Sequence, residues 1–211
     1  MKNKSKKKPV KIQTSFTAEN LTSYSGVEPV YKFICKLGLS TLFRSISIKL
    51  GKNAKYETQN LLSMMILGIF SGMNRIVKME AFSRDPLIRK IFRIKEKIDE
   101  DTITNRLNRF GMSQNEELLK INSLASNKVH KKLQTSSDIL DIDSSVRIVY
   151  GKQEGATKGY NPKKRGAKSY HPLLCFLNST KECILSGLRP CSAYTSNNSS
   201  EFMNHSFSLL P

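Results

Sequence analysis

Hydrophobic and polar positions divide the chain into three stretches. Residues 1–26 are polar, with Lys2, Lys4, Lys6, Lys7, Lys8 and Lys11 near the start. Nothing there builds a core, so the pattern predicts a flexible basic arm. Residues 27–135 carry apolar residues at helical spacing. Val30, Phe33, Ile34 and Leu37 recur on one side, and Gly38 suits a helix end. Asn60–Phe70 is almost entirely apolar and reads as a buried helix. Asp85-Pro86 starts another helix, with Leu87, Ile88, Ile91 and Phe92 inward, since proline is favoured in a first helical turn.

The segment Asp101–Gly111 reads as a short helix capped at both ends. Ile103, Leu107 and Phe110 form its apolar face, leaving Asn105, Arg106, Asn108 and Arg109 on the other. Asn and Arg are the side chains best suited to adenine and guanine edges in the major groove. A short helix of this kind after another short helix is similar to a helix-turn-helix reader; the plainer reading is a solvated surface helix. A long helix follows. Ser113 and Glu116 fit a capping box, and Leu118, Ile121, Leu124 and Leu133 give its stripe.

The period changes to two after Thr135-Ser136-Ser137. Asp138–Tyr150 predicts a strand, with Leu140, Ile142, Val146 and Ile148 on one face and Asp141, Asp143 and Arg147 on the other. Residues 151–169 form a loop rich in Gly, Lys and Arg. Leu173–Leu177 and Cys183–Leu188 predict a hairpin turning at Asn178–Lys181. Asn198 with Glu201 marks a helix start. The fold class is therefore α+β.

Charge narrows the partners. The 211 residues carry 35 Lys and Arg against 17 Asp and Glu, a formal net charge of +18. Such an excess favours a polyanion, and nucleic acid before a membrane surface, because no basic amphipathic helix has a large apolar face. The longest apolar run, Leu61–Phe70, is too short to span a bilayer, which needs about 20 residues. Of the four cysteines, Cys35, Cys175, Cys183 and Cys191, none forms a C-x-x-C pair. Cys175 and Cys183 lie in apolar strand-like runs, where buried reduced thiols are expected, and a reducing cytoplasm fits.

Asp141 and Asp143 are the sharpest chemical feature. Two residues apart in a strand, they share a face at about 7 Å between Cα atoms. They interrupt an apolar run, and a buried carboxylate needs compensation, which a divalent metal supplies. The alternative is a solvent-facing pair on an edge strand that discourages aggregation.

Several segments in this half carry a family resemblance. They are Leu140-Asp141-Ile142-Asp143-Ser144-Ser145, Tyr150-Gly151-Lys152-Gln153-Glu154-Gly155-Ala156, Lys158-Gly159-Tyr160-Asn161-Pro162-Lys163-Lys164 and Ser169-Tyr170-His171-Pro172-Leu173-Leu174. In this order and with these gaps, residues 138–205 resemble the catalytic domain of the group-1 DDE transposases of bacterial insertion sequences. The resemblance implies a ribonuclease-H-like domain over 136–211, incomplete here, with the first three strands and the start of the first helix. It follows a helical DNA-binding region over 27–135 and the arm over 1–26.

The resemblance further implies DNA transposition: binding of double-stranded transposon ends, then strand cleavage and transfer with Mg²⁺ or Mn²⁺. It makes Asp143, followed by Ser144-Ser145, the first catalytic metal ligand, with Asp141 as second choice. Lys152, Lys158, Lys163, Lys164, Arg165 and Lys168 then become phosphate contacts beside it, with Tyr160 able to stack on a base. His171 is expected to be structural or a phosphate contact. The resemblance also implies a second Asp and a Glu that the chain lacks, hence a truncated, inactive fragment, or a DNA-binding regulator that competes or oligomerises with the full-length transposase near the nucleoid. Cys191 stands where the family commonly has Gly.

Overall fold

The computed structural model describes residues 19–52, 54–133, 137–193 and 197–210. The Lys-rich run from Lys2 to Lys11 lies outside them. Seven helices fill the first part: α1 (Val27–Leu37), α2 (Leu39–Phe43), α3 (Thr58–Phe70), α4 (Ile76–Ser83), α5 (Pro86–Phe92), α6 (Glu100–Leu107) and α7 (Met112–Leu133). Local chemistry sets several of their ends. Gly38 adopts φ 75° and its N–H closes α1 on Ile34 and Cys35. Asp85 accepts from Leu87 N at 2.9 Å with Pro86 opening α5. Helices α1, α3, α4, α5 and α6 bury a main core, including Ile34, Leu61, Met64, Leu67, Phe82, Ile88 and Ile103, and a second cluster of Phe43, Ile46, Leu62 and Ile121 joins α2, α3 and α7. Glu80 ties α4 to the α5–α6 connection by accepting from Arg84, Lys97 and Glu100 N.

Three boundaries differ from the expected ones. Helix α6 runs Glu100–Leu107 rather than Asp101–Gly111. Gly111 instead precedes α7, whose Gln114 carboxamide accepts from Gly111 N at 2.9 Å, so Gln114 rather than Glu116 closes this helix start. Along α7, Ile121 is buried, whereas Leu124 and Leu133 are exposed.

The remaining elements are β1 (Leu140–Ser144), β2 (Arg147–Ile148), β3 (Thr157–Lys158), β4 (Lys168–Tyr170), β5 (Leu173–Leu177), β6 (Cys183–Gly187) and α8 (Ser199–Ser208). They form two three-stranded sheets, ordered β1-β5-β6 and β2-β4-β3. The register shows that β1 and β2 are one interrupted strand. Asp143 pairs with Leu174, Arg147 pairs with Tyr170, and between them Ser145 N donates to Pro172 O at 3.1 Å. The offset is unchanged across the gap. Pro172 has no N–H to return, so one rung of the ladder is missing. The strand expected over 138–150 is thus present in register but broken beside Pro172.

Inward residues Leu140, Ile142, Cys175, Leu177 and Leu185 pack with Phe202 and Leu209 from the α8 end and with Leu119 of α7. A bulge places Ile184 as an extra residue in β6. Ile184 and Leu185 are both buried, and Cys183 turns to the exposed side, contrary to the expectation of a buried thiol. Helix α7 joins both parts. Its Ser126 and His130 meet Glu182 at 2.9 and 3.1 Å, and Asn122 donates to Cys183 O. Among the described residues no helix is long and apolar enough to cross a membrane.

Candidate functional site

The carboxylates Asp141 and Asp143 alternate with half-buried Leu140, Ile142 and Ser144, and both are exposed. Their cross-strand neighbours are Phe176 and Leu174. Strand β1 is an edge of its sheet among the described residues. The two aspartates therefore face solvent, and the desolvation penalty expected of buried carboxylates does not arise. Asp143 Oδ1 accepts from Ser144 N at 2.7 Å, which turns that carboxylate toward the backbone. Asp138, just before β1, accepts from Ser179 N at 3.0 Å and from the Ser179 hydroxyl. The Ser179 hydroxyl holds its carboxyl below the usual range.

The opposite face explains His171. Its Nδ1 lies 2.9 Å from Ala193 O, and a carbonyl oxygen only accepts, so Nδ1 carries the proton. In the neutral ring Nε2 then accepts from Ser144 Oγ at 3.0 Å. His171 thereby fixes the residue after Asp143 to the segment that follows β6. This geometry is that of a structural pin.

The lysine loop is built on Asn161. This buried side chain donates to Ser169 Oγ at 2.8 Å and accepts from Lys163 N and Lys164 N at 2.9 and 3.0 Å. It curls Pro162-Lys163-Lys164 outward as a turn. Gly159 is required beside it, because a Cβ there would meet Cys191 O at 2.0 Å. Cys191 is itself buried, its thiol 3.4 Å from Tyr160 O, so the departure at this position is packed into the turn. Lys152, Lys158, Lys163, Lys164, Arg165 and Lys168 are all exposed, as is Tyr160. Lys164 sits over the Tyr150 ring at 4.9 Å.

In the helical part the four polar residues of α6 and its end separate. Asn105, Asn108 and Arg109 are exposed. Arg109 donates to Lys49 O at 2.6 Å, and with Asn105 and Lys55 it lines an open groove. Arg106 borders the same groove but its guanidinium is turned inward. It is buried, donating to Thr58 Oγ1 at 2.7 Å and to Tyr56 O at 2.8 Å. Burial pushes its pKa down, and the nearby Arg109 charge adds to this. The expectation that Arg106 faces DNA is corrected: the side chain braces the start of α3. Its spacing from Ile103 is i+3, which places it inside the buried stripe rather than opposite it.

The metal test gives a limited fit. All 17 Asp and Glu residues lie among the described residues, and no group of three metal-ligating side chains gathers there. Asp143, with or without Asp141, suits one hard cation completed by water and phosphate oxygen. Two ions at about 3.5–4 Å separation need more ligands than this strand provides.

Sequence reasoning assigns Arg147 no site role, although its alternation with Asp141 and Asp143 is visible in the chain. The unbroken register places it on their face, one strand-length along. A comparison with family models then matches residues 4–208 to the transposase DDE domain, group 1. No curated protein and no solved structure matches the chain. The match spans the helical part as well as the strands carrying Asp143, and so the chain belongs to the group 1 transposase DDE domain family.

Proposed function

We propose that the chain binds double-stranded transposon-end DNA and offers Asp143 as the first metal-binding carboxylate of a ribonuclease-H-like domain. The observation that carries this reading is the solvent face of β1, where exposed Asp141 and Asp143 run in unbroken register toward the basic 151–168 segment. The order β1-β5-β6, with β5 and β6 as a hairpin and β1 beside β5, supports the ribonuclease-H-like assignment. DNA phosphates supply the anionic partner that a net charge of +18 calls for. A bound Mg²⁺ or Mn²⁺ would bring Lewis-acid polarisation of a phosphoryl oxygen. The residues of this chain do the rest: Asp143 holds the cation, Ser144 and His171 fix the strand that carries it, and the lysine loop holds phosphates. Asn105, Asn108 and Arg109 form a second contact surface in the helical part.

The sparse ligand set favours binding without cleavage by this chain alone, the behaviour of a DNA-binding regulator. The test incubates purified chain with duplex DNA from the element boundary, with and without Mg²⁺ or Mn²⁺. The expected result is binding that weakens steeply with salt, and no specific nicks. Specific metal-dependent nicking lost in Asp143→Asn contradicts the binding-only assignment. Affinity indifferent to salt contradicts the DNA reading altogether.

A further inference from the structure

Among the exposed cations on the carboxylate face, Arg147 has no role in the proposed function, and it lies in a row with Lys158 and Lys168 of the lysine loop. In β2, Arg147 makes no hydrogen bond or ion pair among the described residues and pairs with Tyr170. In β4, Lys168 accepts Val149 N at its carbonyl and lies directly opposite Lys158 of β3. Pleat alternation sends Arg147, Lys168 and Lys158 to the same side as Asp141 and Asp143. The three side chains therefore cross three adjacent strands as a row. At about 4.8 Å per strand, the row is on the order of 10 Å wide. Along the strand, four residues separate Arg147 from Asp143, roughly 13 Å.

Two features make the row more than solvated surface. Directly opposed like charges destabilise a strand pair, and Lys158 against Lys168 is such a pair. An anion lying between them reverses the sign of that interaction. Arg147, diagonal to Lys168, is a planar donor fork suited to phosphate and occupied by nothing on this face. The carboxylates at the far end repel an anion unless a cation covers them. A DNA strand laid along β1–β2 is thus drawn to the Arg147 end with or without metal, and to the Asp143 end only with it.

We infer that Arg147, Lys158 and Lys168 form a phosphate clamp that holds one DNA strand a few nucleotides from the point served by Asp143. This rests on the DNA-binding reading above and adds the strand's path and a residue, Arg147, that positions it. Arg147 acts on the flanking backbone, not on the reacting atoms.

The experiment uses the whole chain and a fluorescent 30-base-pair duplex, measuring affinity across a salt series with Mg²⁺ held at zero or at a fixed level. Arg147→Ala is expected to lower the log–log salt slope by about 0.9, the loss of one neutralised phosphate. Arg147→Lys keeps the slope. Lys78→Ala, an exposed lysine on α4, is the control and leaves it unchanged. Lys158→Thr gives a second readout: removing one of two opposed charges raises the melting temperature of the free chain while weakening DNA binding. A merely structural lysine would not move the two in opposite directions. If the wild-type chain binds DNA in a salt-dependent way and both Arg147→Ala and Lys158→Thr bind as it does, the clamp is wrong and the DNA reading stands. If the wild-type chain shows no salt-dependent binding, both fall.

Discussion

Replacing Arg106 separates a fold role from a DNA role. Arg106→Ala removes a buried guanidinium that donates to Thr58 Oγ1 at 2.7 Å and Tyr56 O at 2.8 Å. Both acceptors sit at the entry to α3, whose Leu61, Met64 and Leu67 lie in the main helical core. Hydrogen bonds from a charged donor contribute about 1.5–3 kcal/mol each, and the Tyr56 bond is only partly buried. A net loss of about 2–3 kcal/mol follows for the truncation. For a chain of this size that lowers the melting temperature by roughly 4–12 °C. The companion Arg109→Ala loses one exposed bond to Lys49 O and should cost about 1 kcal/mol or less. The assay pairs thermal unfolding by circular dichroism with DNA affinity measured well below both transitions. Arg106→Ala should melt early yet keep the wild-type salt slope, while Arg109→Ala melts near wild type with a flatter slope. An Arg106→Ala chain that melts like wild type and loses DNA binding would refute the placement of this side chain in the core.

Three further perturbations test other parts of the account. Glu80 is held at a pKa of about 2, chiefly by hydrogen bonds from Lys97 and then Arg84 and Glu100 N. Its folded pKa lies below the ordinary value, so its contribution is complete above about pH 5 and fades as pH falls toward 2. Glu80→Gln should therefore lower stability at pH 7, with the gap from wild type closing over that acid range in a urea titration series. Asn161→Ala frees the Lys163 and Lys164 amides and should speed their hydrogen exchange while weakening DNA binding, with no lysine removed. Gly159→Ala drives a Cβ into Cys191 O, a backbone atom that cannot swing aside, and should destabilise the β3 junction by about 1–3 kcal/mol in denaturant unfolding.

Much of this was legible where a local rule acts alone. Gly38 ended α1, Asp85-Pro86 opened α5, and the period-two alternation put Asp141, Asp143 and Arg147 on one face. The errors arose where a distant partner decides. Arg106 looks solvent-facing by residue type, but Thr58 and the Tyr56 carbonyl, some fifty residues earlier, give its charge a buried home. Only its i+3 spacing from Ile103 signalled this. Cys183 follows strand alternation until the bulge at Ile184 changes the parity. For the carboxylates the local pattern left a buried metal-binding pair and a solvent-facing edge pair both open, and the structure has them exposed on an edge strand, a property of the sheet rather than of the local pattern. The helical part held no distinctive motif, yet the family match begins at residue 4.

In the proposed function, cation and DNA meet on the solvent face of β1, and one measurement addresses this directly. Loading the chain–DNA complex with Fe²⁺ in place of Mg²⁺, then adding peroxide and ascorbate, generates radicals that cut whatever lies beside the ion. The expected cuts fall in the polypeptide around residues 141–145 and at one place in the DNA. Both should vanish in Asp143→Asn and persist in Asp138→Asn. Cuts that survive Asp143→Asn, or protein cuts confined to the helical part, would contradict the placement of the metal site on β1.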